Sequence, residues 1–328
     1  MGKIQFIHSY HYIISVENLL CAWQEFLCGK RNRLDVQEFE HDLMINVIKL
    51  HQDLANFTYF HSGYEAFKIA DPKPRDIHKA SVRDRLLHHA IYRQLYPFFD
   101  KTFIADSYSC RNNKGTHKAI NRFGDMAHQV SKNNTKTVWI LKCDIRKFFA
   151  NIDHDILKCI LAQYIPDKNI IWLLNRVIDS FELEKNRGLP LGNLTSQLFV
   201  NIYMNEFDQF VKHQLKQKYY IRYADDFVFL SDNKQELLDI VKPVYEFLGK
   251  KLTLQIHPNK ISLSTLASGV DYLGYINFPH YRILRTKTKH RILRLANNKN
   301  LPSYFGVLKH CSSYRLKQEV ENIVGLLD

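Results

Sequence analysis

Tyr220-Ile-Arg-Tyr-Ala-Asp-Asp-Phe-Val-Phe-Leu230 decides how the chain is read. Apolar residues stand on both sides of Ala224-Asp225-Asp226, and Asp suits a tight turn because its side chain hydrogen-bonds the local backbone. The stretch therefore reads as strand, turn, strand. Eighty-one residues before Asp225, the short apolar run Val138-Trp-Ile-Leu141 leads through Lys142-Cys143 to Asp144 at a strand end. Each feature has a plain structural explanation, since Asp-Asp in a turn is usually solvated and Asp144 could cap a strand. Taken together they mean more. Strands ending side by side would gather three carboxylates that repel one another and stay ionised mainly when divalent cations neutralise them. Mg²⁺ suits carboxylate oxygens that share the metal with phosphates. Two such ions about 4 Å apart would activate the attacking oxygen and stabilise the leaving one in a phosphoryl displacement.

The 220–230 stretch resembles the Y-x-D-D hairpin of reverse transcriptases, and Leu-Lys-Cys-Asp-Ile-Arg-Lys-Phe-Phe (141–149) resembles their first metal-binding motif. Order and separation agree with that family. The resemblance runs from about residue 15 to about residue 295. It implies that Asp144, Asp225 and Asp226 are catalytic and bind metal, with Ile145 beside them as a metal and nucleotide contact. Asp144 and Asp225 would bridge two Mg²⁺ ions, for which Mn²⁺ could substitute, and Asp226 would contribute less directly. Asp-Pro-Lys-Pro-Arg (71–75) resembles the fingers motif, which implies that Lys73 and Arg75 offset the charge of an incoming triphosphate. Phe149 corresponds to the aromatic steric gate that excludes a 2′-hydroxyl. Gly188-Leu-Pro-Leu-Gly-Asn-Leu-Thr-Ser-Gln197 resembles the template and nucleotide motif that the family commonly writes P-Q-G, which places Leu191 and Gln197 against nucleotide or template.

Leu191 departs from the family's glutamine. With the wording L-G-N-L-T-S-Q, it resembles the reverse transcriptases of diversity-generating retroelements and related bacterial lineages. Loss of a polar group that would brace the nucleotide predicts relaxed base selection. His257-Pro-Asn-Lys260 and Tyr272-Leu-Gly-Tyr275 resemble the later palm motifs, the second of them the primer grip, and Lys260 is assigned to nucleotide or metal-bound phosphate. Asp106 to His117 matches a fingers region of bacterial members, where Arg111 and Lys114 would meet template phosphate.

The remaining sequence is consistent with that reading. A net charge of +13 and a pI near 9.3 favour a polyanionic partner. Hydrophobic residues make up 45% of 328, enough for a large core of several subdomains. No apolar run approaches the roughly 20 residues of a membrane span, and no secretory signal is visible, so the expected location is cytoplasmic. The six cysteines form no C-x-x-C pair and read as free thiols.

Helical spacing predicts two helices between Ser15 and Phe57, separated by Gly29-Lys-Arg-Asn-Arg33. The prolines of 70–79 predict extended backbone, followed by a helix from Ser81 towards Tyr96. Asp153 reads as an N-cap, and a helix begins near Thr195 with Phe199, Tyr203, Phe207, Val211 and Leu215 on one face. Leu237 to Leu248 predicts one helix, and alternating Leu252, Leu254 and Ile256 a strand. From Tyr281 to Ala296 there are six Lys or Arg and no acid, which reads as the basic face of a helical appendage.

These readings predict an α+β right-hand polymerase: N-terminal helices (1–70), fingers (71–137), a palm (138–279) with a helical excursion at 153–187, and a short basic thumb (280–328). The expected activity is RNA-directed DNA polymerisation, a nucleotidyl transfer that extends a primer 3′-hydroxyl with dNTPs on an RNA template held as an RNA/DNA hybrid. A diversity-generating retroelement enzyme would work with a small basic accessory protein; an antiviral-defence relative would use a dedicated noncoding RNA or assemble into oligomers. A non-catalytic RNA-binding scaffold is the competing class, opposed by the intact Asp144, Asp225, Asp226, Lys73 and Arg75. An RNA-dependent RNA polymerase is disfavoured by Phe149.

Overall fold

A computed structural model describes residues 4–70 and 74–325. In chain order the elements are α1 (Tyr10–Ile14), α2 (Val16–Phe26), α3 (Leu34–His41), α4 (Leu43–Ala55), β1 (Tyr64–Ile69), β2 (Arg75–Ala80), α5 (Val82–Asp100), α6 (Thr116–Val130) and β3 (Trp139–Asp144). They continue with α7 (His154–Tyr164), α8 (Lys168–Ile178), α9 (Leu194–Gln209), β4 (Tyr220–Tyr223), β5 (Asp226–Ser231), α10 (Lys234–Asp239) and α11 (Val241–Leu252). The last are β6 (Ser262–Thr265), β7 (Val270–Tyr272), β8 (Tyr275–Asn277), β9 (Arg282–Leu284), α12 (Thr286–Leu295), α13 (Leu301–Leu308) and α14 (Tyr314–Gly325).

The chain forms two compact units. One comprises Met1–Ala105, Ile145–Phe210 and Glu246–Gln255; the other comprises Asp106–Asp144, Val211–Tyr245 and Ile256–Asp328. In the first unit α5 packs on α2 and α9, and β1 pairs antiparallel with β2. Two starts follow from capping: the Ser81 side chain accepts from Asp84 N at α5, and Asp153 accepts from Ile156 N at α7. Each cap contributes about 1 kcal/mol. A polar chain crosses this unit's interior. The Thr195 hydroxyl meets His88 Nδ1 at 3.3 Å, His88 Nε2 meets His61 Nε2 at 3.1 Å, and His61 Nδ1 meets the Ser62 carbonyl at 2.6 Å. The Ser62 carbonyl can only accept, so His61 Nδ1 is the donor. With both rings neutral, His61 Nε2 then accepts from His88, and His88 Nδ1 accepts from Thr195.

The second unit holds a four-stranded antiparallel sheet in the order β4-β5-β3-β6 and a three-stranded sheet β7-β8-β9. Its core joins Ile120 and Phe123 of α6 to Ile140, Ile221 and Val228 of the first sheet, Tyr272 and Tyr275 of the second, and Leu316 and Val320 of α14. The β7–β8 turn, Leu273-Gly274, has both residues at positive φ (50° and 93°), as a two-residue hairpin turn of matching twist requires.

Several elements differ from the sequence expectation. The predicted second N-terminal helix is two, α3 and α4, broken at Asp42. The helix predicted over 237–248 is likewise split, at Ile240. The α9 helix ends at Gln209 and widens into a π-turn over Phe210–Gln214, so the predicted stripe loses register before Leu215. No strand forms over 252–256. Thr253 takes φ 49° and the Leu254 amide folds back onto the Leu248 carbonyl, so Leu252, Leu254 and Ile256 are buried without a sheet. Alternation there reports burial of a helix end and the turn that follows it. The helical appendage expected from Tyr281 opens as strand β9, which pairs with β8. All six cysteines are free thiols.

Candidate active site

The second unit builds its carboxylate cluster from sheet register. On β3, side chains two apart share a face, so Lys142 and Asp144 project together while Leu141 and Cys143 are buried. Asp144 lies directly opposite Asp226 in the β3–β5 ladder, and Tyr223 lies opposite Asp226 on the other side. On β3's far edge Lys142 pairs with Ser262. The chain before β6 makes a 3₁₀ turn, Pro258–Lys260, whose preceding His257 amide donates to the Asp144 carbonyl, and from that turn the Lys260 ammonium donates to Asp144 Oδ1 at 2.7 Å. One row of the sheet therefore reads Tyr223, Asp226, Asp144, with the Lys260 ammonium reaching its end from the 3₁₀ turn and Asp225 at the hairpin turn beside it.

Two like charges directly opposed on one face destabilise a ladder. The consequence shows in Asp226. Burial pushes its carboxyl up to about 6, the charges of Asp144 and Asp225 add to the rise, and Lys142 opposes it. Asp226 Oδ1 is buried and makes no hydrogen bond, and Lys142 Nζ stands 3.5 Å from Oδ2. Below the cluster, the Tyr272 hydroxyl is also buried without a partner, which with the nearby Asp226 charge raises its pKa well above the ordinary value.

The hairpin itself is braced from beneath. Ala224 has φ 55° at the first turn position, which costs about 1 kcal/mol for a residue with a Cβ. Arg222 holds it. This side chain is fully buried in β4, donating to the Ala224 carbonyl at 3.0 Å and to Ser107 Oγ at 3.1 Å. The segment from Asp106 runs alongside: Ser107 bridges Arg222, the Arg222 amide donates to the Asp106 carbonyl, and Arg122 pairs with Asp106 at 2.8 Å. Thr116 donates to the Tyr223 hydroxyl. Arg111 donates to the Ser107 carbonyl and Lys114 stands over the Tyr108 ring. These two cations thus hold the segment that supports the hairpin.

The first unit gathers other predicted residues. Arg75 is exposed at the start of β2, and Ile145 is buried, leaving its backbone as the group able to meet a ligand. The Phe149 carbonyl accepts from Leu189 N at 2.8 Å, and the His78 amide of β2 donates to the Leu191 carbonyl. Gly192, at φ 117°, lets that loop lie against Ile77. Gln197 sits in the first turn of α9, half-buried. Lys73 lies outside the described residues.

Several of the six basic residues between Tyr281 and Ala296 are engaged within the protein. Arg282 donates to Asn121, Arg285 pairs with Asp271, and Lys289 pairs with Glu319 at 3.5 Å. The sequence reading missed Arg222 and Lys142. An arginine inside an apolar strand and a lysine two residues before a site aspartate were the available signals.

Among the described residues no group of three His, Cys, Asp or Glu side chains stands close enough to hold a metal ion. The donor chemistry nevertheless fits a hard divalent cation. Asp144 and Asp226 share one face, Asp226 Oδ1 is an orphaned buried oxygen, and the ammoniums of Lys142 and Lys260 stand beside them. No helix among the described residues is long and apolar enough to cross a membrane.

Residues 70–277 match the family described as reverse transcriptase (RNA-dependent DNA polymerase). Protein YkfC of Escherichia coli is 22% identical over 263 residues, covering 69% of this chain and 67% of the relative. The group II intron-encoded protein LtrA of Lactococcus lactis is 25% identical over 229 residues, covering 65% of this chain and 36% of LtrA. The chain thus spans about a third of that relative. Apo telomerase from Candida tropicalis is similar in structure, with a TM-score of 0.53 at 14% identity, over 80% of this chain and 57% of that one. Telomerase from Candida albicans in complex with a fragment of telomeric RNA has a TM-score of 0.52 at 11% identity, over 82% and 55%. The fold is the mixed helix-and-sheet right-hand polymerase fold, and the chain belongs to the reverse transcriptase family.

Proposed function

We propose that this chain is an RNA-directed DNA polymerase that extends a primer 3′-hydroxyl with dNTPs on an RNA template, serving a diversity-generating retroelement with relaxed fidelity. The observation that carries the chemistry is the rung of Asp144 opposite Asp226. A fold keeps two carboxylates face to face at a cost in stability when a cation uses them. Asp144, Asp225 and Asp226, with the backbone of Ile145, would hold two Mg²⁺ ions, or Mn²⁺ in their place. Such ions, when bound, supply activation of the 3′-hydroxyl and charge neutralisation at the leaving oxygen.

The protein's own groups bind and orient. Lys73 and Arg75 counter the triphosphate charge, Phe149 excludes the 2′-hydroxyl, and Leu191 and Gln197 meet the nucleotide or template. Lys260, once released from Asp144, meets phosphate. Residues 71–137 serve as fingers, 138–279 as palm and 280–328 as thumb, whose Lys287 and Arg294 grip the hybrid backbone. The retroelement role is supported by Leu191 and by the L-G-N-L-T-S-Q wording. It implies a small basic accessory protein and a structured template RNA as partners.

The test is extension by the purified chain on a mixed-sequence RNA template, with dNTPs or rNTPs supplied in turn. DNA synthesis with strong dNTP preference is expected, and Phe149→Ala should reduce that preference about tenfold or more. Absence of product even with co-purifying RNA and the neighbouring gene product would turn the reading to an RNA-binding scaffold.

A further inference from the structure

Two lysines face the carboxylate row, and they are held differently. Lys260 lies in a short 3₁₀ turn, half-exposed, and its ammonium donates to Asp144. Lys142 rises from the central strand β3, one rung along the same face, and its side chain is only 22% exposed. Its ammonium donates to the Asp271 backbone carbonyl of β7 at 2.6 Å while standing 3.5 Å from Asp226 Oδ2. Asp271 is in turn fixed on its other side, because its carboxylate pairs with Arg285, whose amide donates to the carbonyl of Gly274 in the β7–β8 turn. A lysine tied to a backbone carbonyl that is itself clamped cannot swing away as an exposed one can.

We propose that Lys142 is the resident counter-ion and positioning residue of Asp226: a fixed positive charge that holds the second hairpin carboxylate in place and competes with any divalent cation that binds there. The proposal rests on the assignment of Asp144, Asp225 and Asp226 as the cation site. It has an unusual sign. A residue that merely supported the fold would weaken cation binding when removed. Removing a competing charge strengthens it instead, because a unit charge about 5 Å from a divalent ion repels it appreciably even in a high-dielectric setting. Catalysis moves the other way: without Lys142, Asp226 is free to turn, and misplacement by about 1 Å is enough to slow a displacement roughly a hundredfold.

The experiment measures Mn²⁺ binding to the full chain by electron paramagnetic resonance, without primer, template or nucleotide, for wild type, Lys142→Met, Lys142→Gln, Lys142→Arg and Asp225→Asn. Circular dichroism confirms which variants are folded. Both neutral variants are expected to bind Mn²⁺ about tenfold more tightly and to extend a primer more slowly, with Lys142→Arg restoring wild-type affinity. Unchanged or weaker Mn²⁺ binding in a folded neutral variant, while Asp225→Asn abolishes the site, overturns the counter-ion role and leaves the site assignment standing. Mn²⁺ binding unaffected by Asp225→Asn overturns the site assignment itself. If neither neutral variant folds, Lys142→Arg decides: loss of wild-type affinity there overturns the proposal, and its retention supports a role for charge.

Discussion

Replacing Arg222 by methionine keeps most of the apolar stem and deletes the guanidinium beneath the β4–β5 hairpin. Arg222 is fully buried and donates to the Ala224 carbonyl and to Ser107 Oγ. Hydrogen bonds from a charged group contribute about 1.5–3 kcal/mol each, so the two together represent about 3–6 kcal/mol. Part of this is offset because a buried guanidinium no longer has to be desolvated, leaving a net loss of about 2–4 kcal/mol. The Ala224 carbonyl is then unsatisfied in a turn already held at φ 55°. The turn should relax and carry Asp225 and Asp226 with it. A displacement of about 1 Å at reacting groups lowers rates roughly a hundredfold. Urea denaturation measures the first effect and single-turnover primer extension on the folded variant the second. Extension within twofold of wild type in a folded Arg222→Met would refute the claim that this arginine sets the hairpin.

Stability should depend on His88 with a defined sign. Burial, with the neighbouring His61 adding to it, pushes His88 from 6.5 down to about 3. The folded form therefore keeps it neutral while the unfolded chain takes up a proton below 6.5. Stability should fall as the pH drops from 6.5 towards 3, by up to about 1.4 kcal/mol per pH unit. Urea midpoints of His88→Gln should show a slope shallower by that amount, and parallel slopes would contradict it. Gly192→Ala should lower stability by about 1–3 kcal/mol in thermal melts, since φ is 117° and a Cβ would approach Ile77 Cγ2 to 3.1 Å. Leu191→Gln should lower misincorporation in sequenced products; an unchanged error spectrum would count against Leu191 as the source of relaxed selection.

The carboxylate row was legible because it rests on short-range rules. A turn rich in Asp between two apolar runs, and an Asp ending another, are patterns of period two that a sequence displays directly. The N-cap at Asp153 was legible for the same reason. What the sequence concealed depends on partners distant in the chain. Nothing local marks Ser107 as the strand neighbour of Arg222, or Asp271 as the anchor of Lys142. Arg111 and Lys114 were assigned to template phosphate because charge is visible in sequence; their contacts within their own segment, to the Ser107 carbonyl and the Tyr108 ring, were not. Leu252, Leu254 and Ile256 alternate as a strand does, yet Leu252 ends α11 and a positive φ at Thr253 turns the chain, burying all three around a helix end.

Asp144, Asp225 and Asp226 are proposed as the cation-dependent centre of this reverse transcriptase. Primer extension on an RNA template with four dNTPs and Mg²⁺, comparing wild type with Asp225→Asn, tests that assignment most directly. Wild type is expected to extend the primer in a reaction that chelation abolishes and Mg²⁺ restores, and the folded variant at a rate at least a thousandfold lower, roughly 4 kcal/mol in barrier. Extension by Asp225→Asn at a rate comparable to wild type would contradict the assignment.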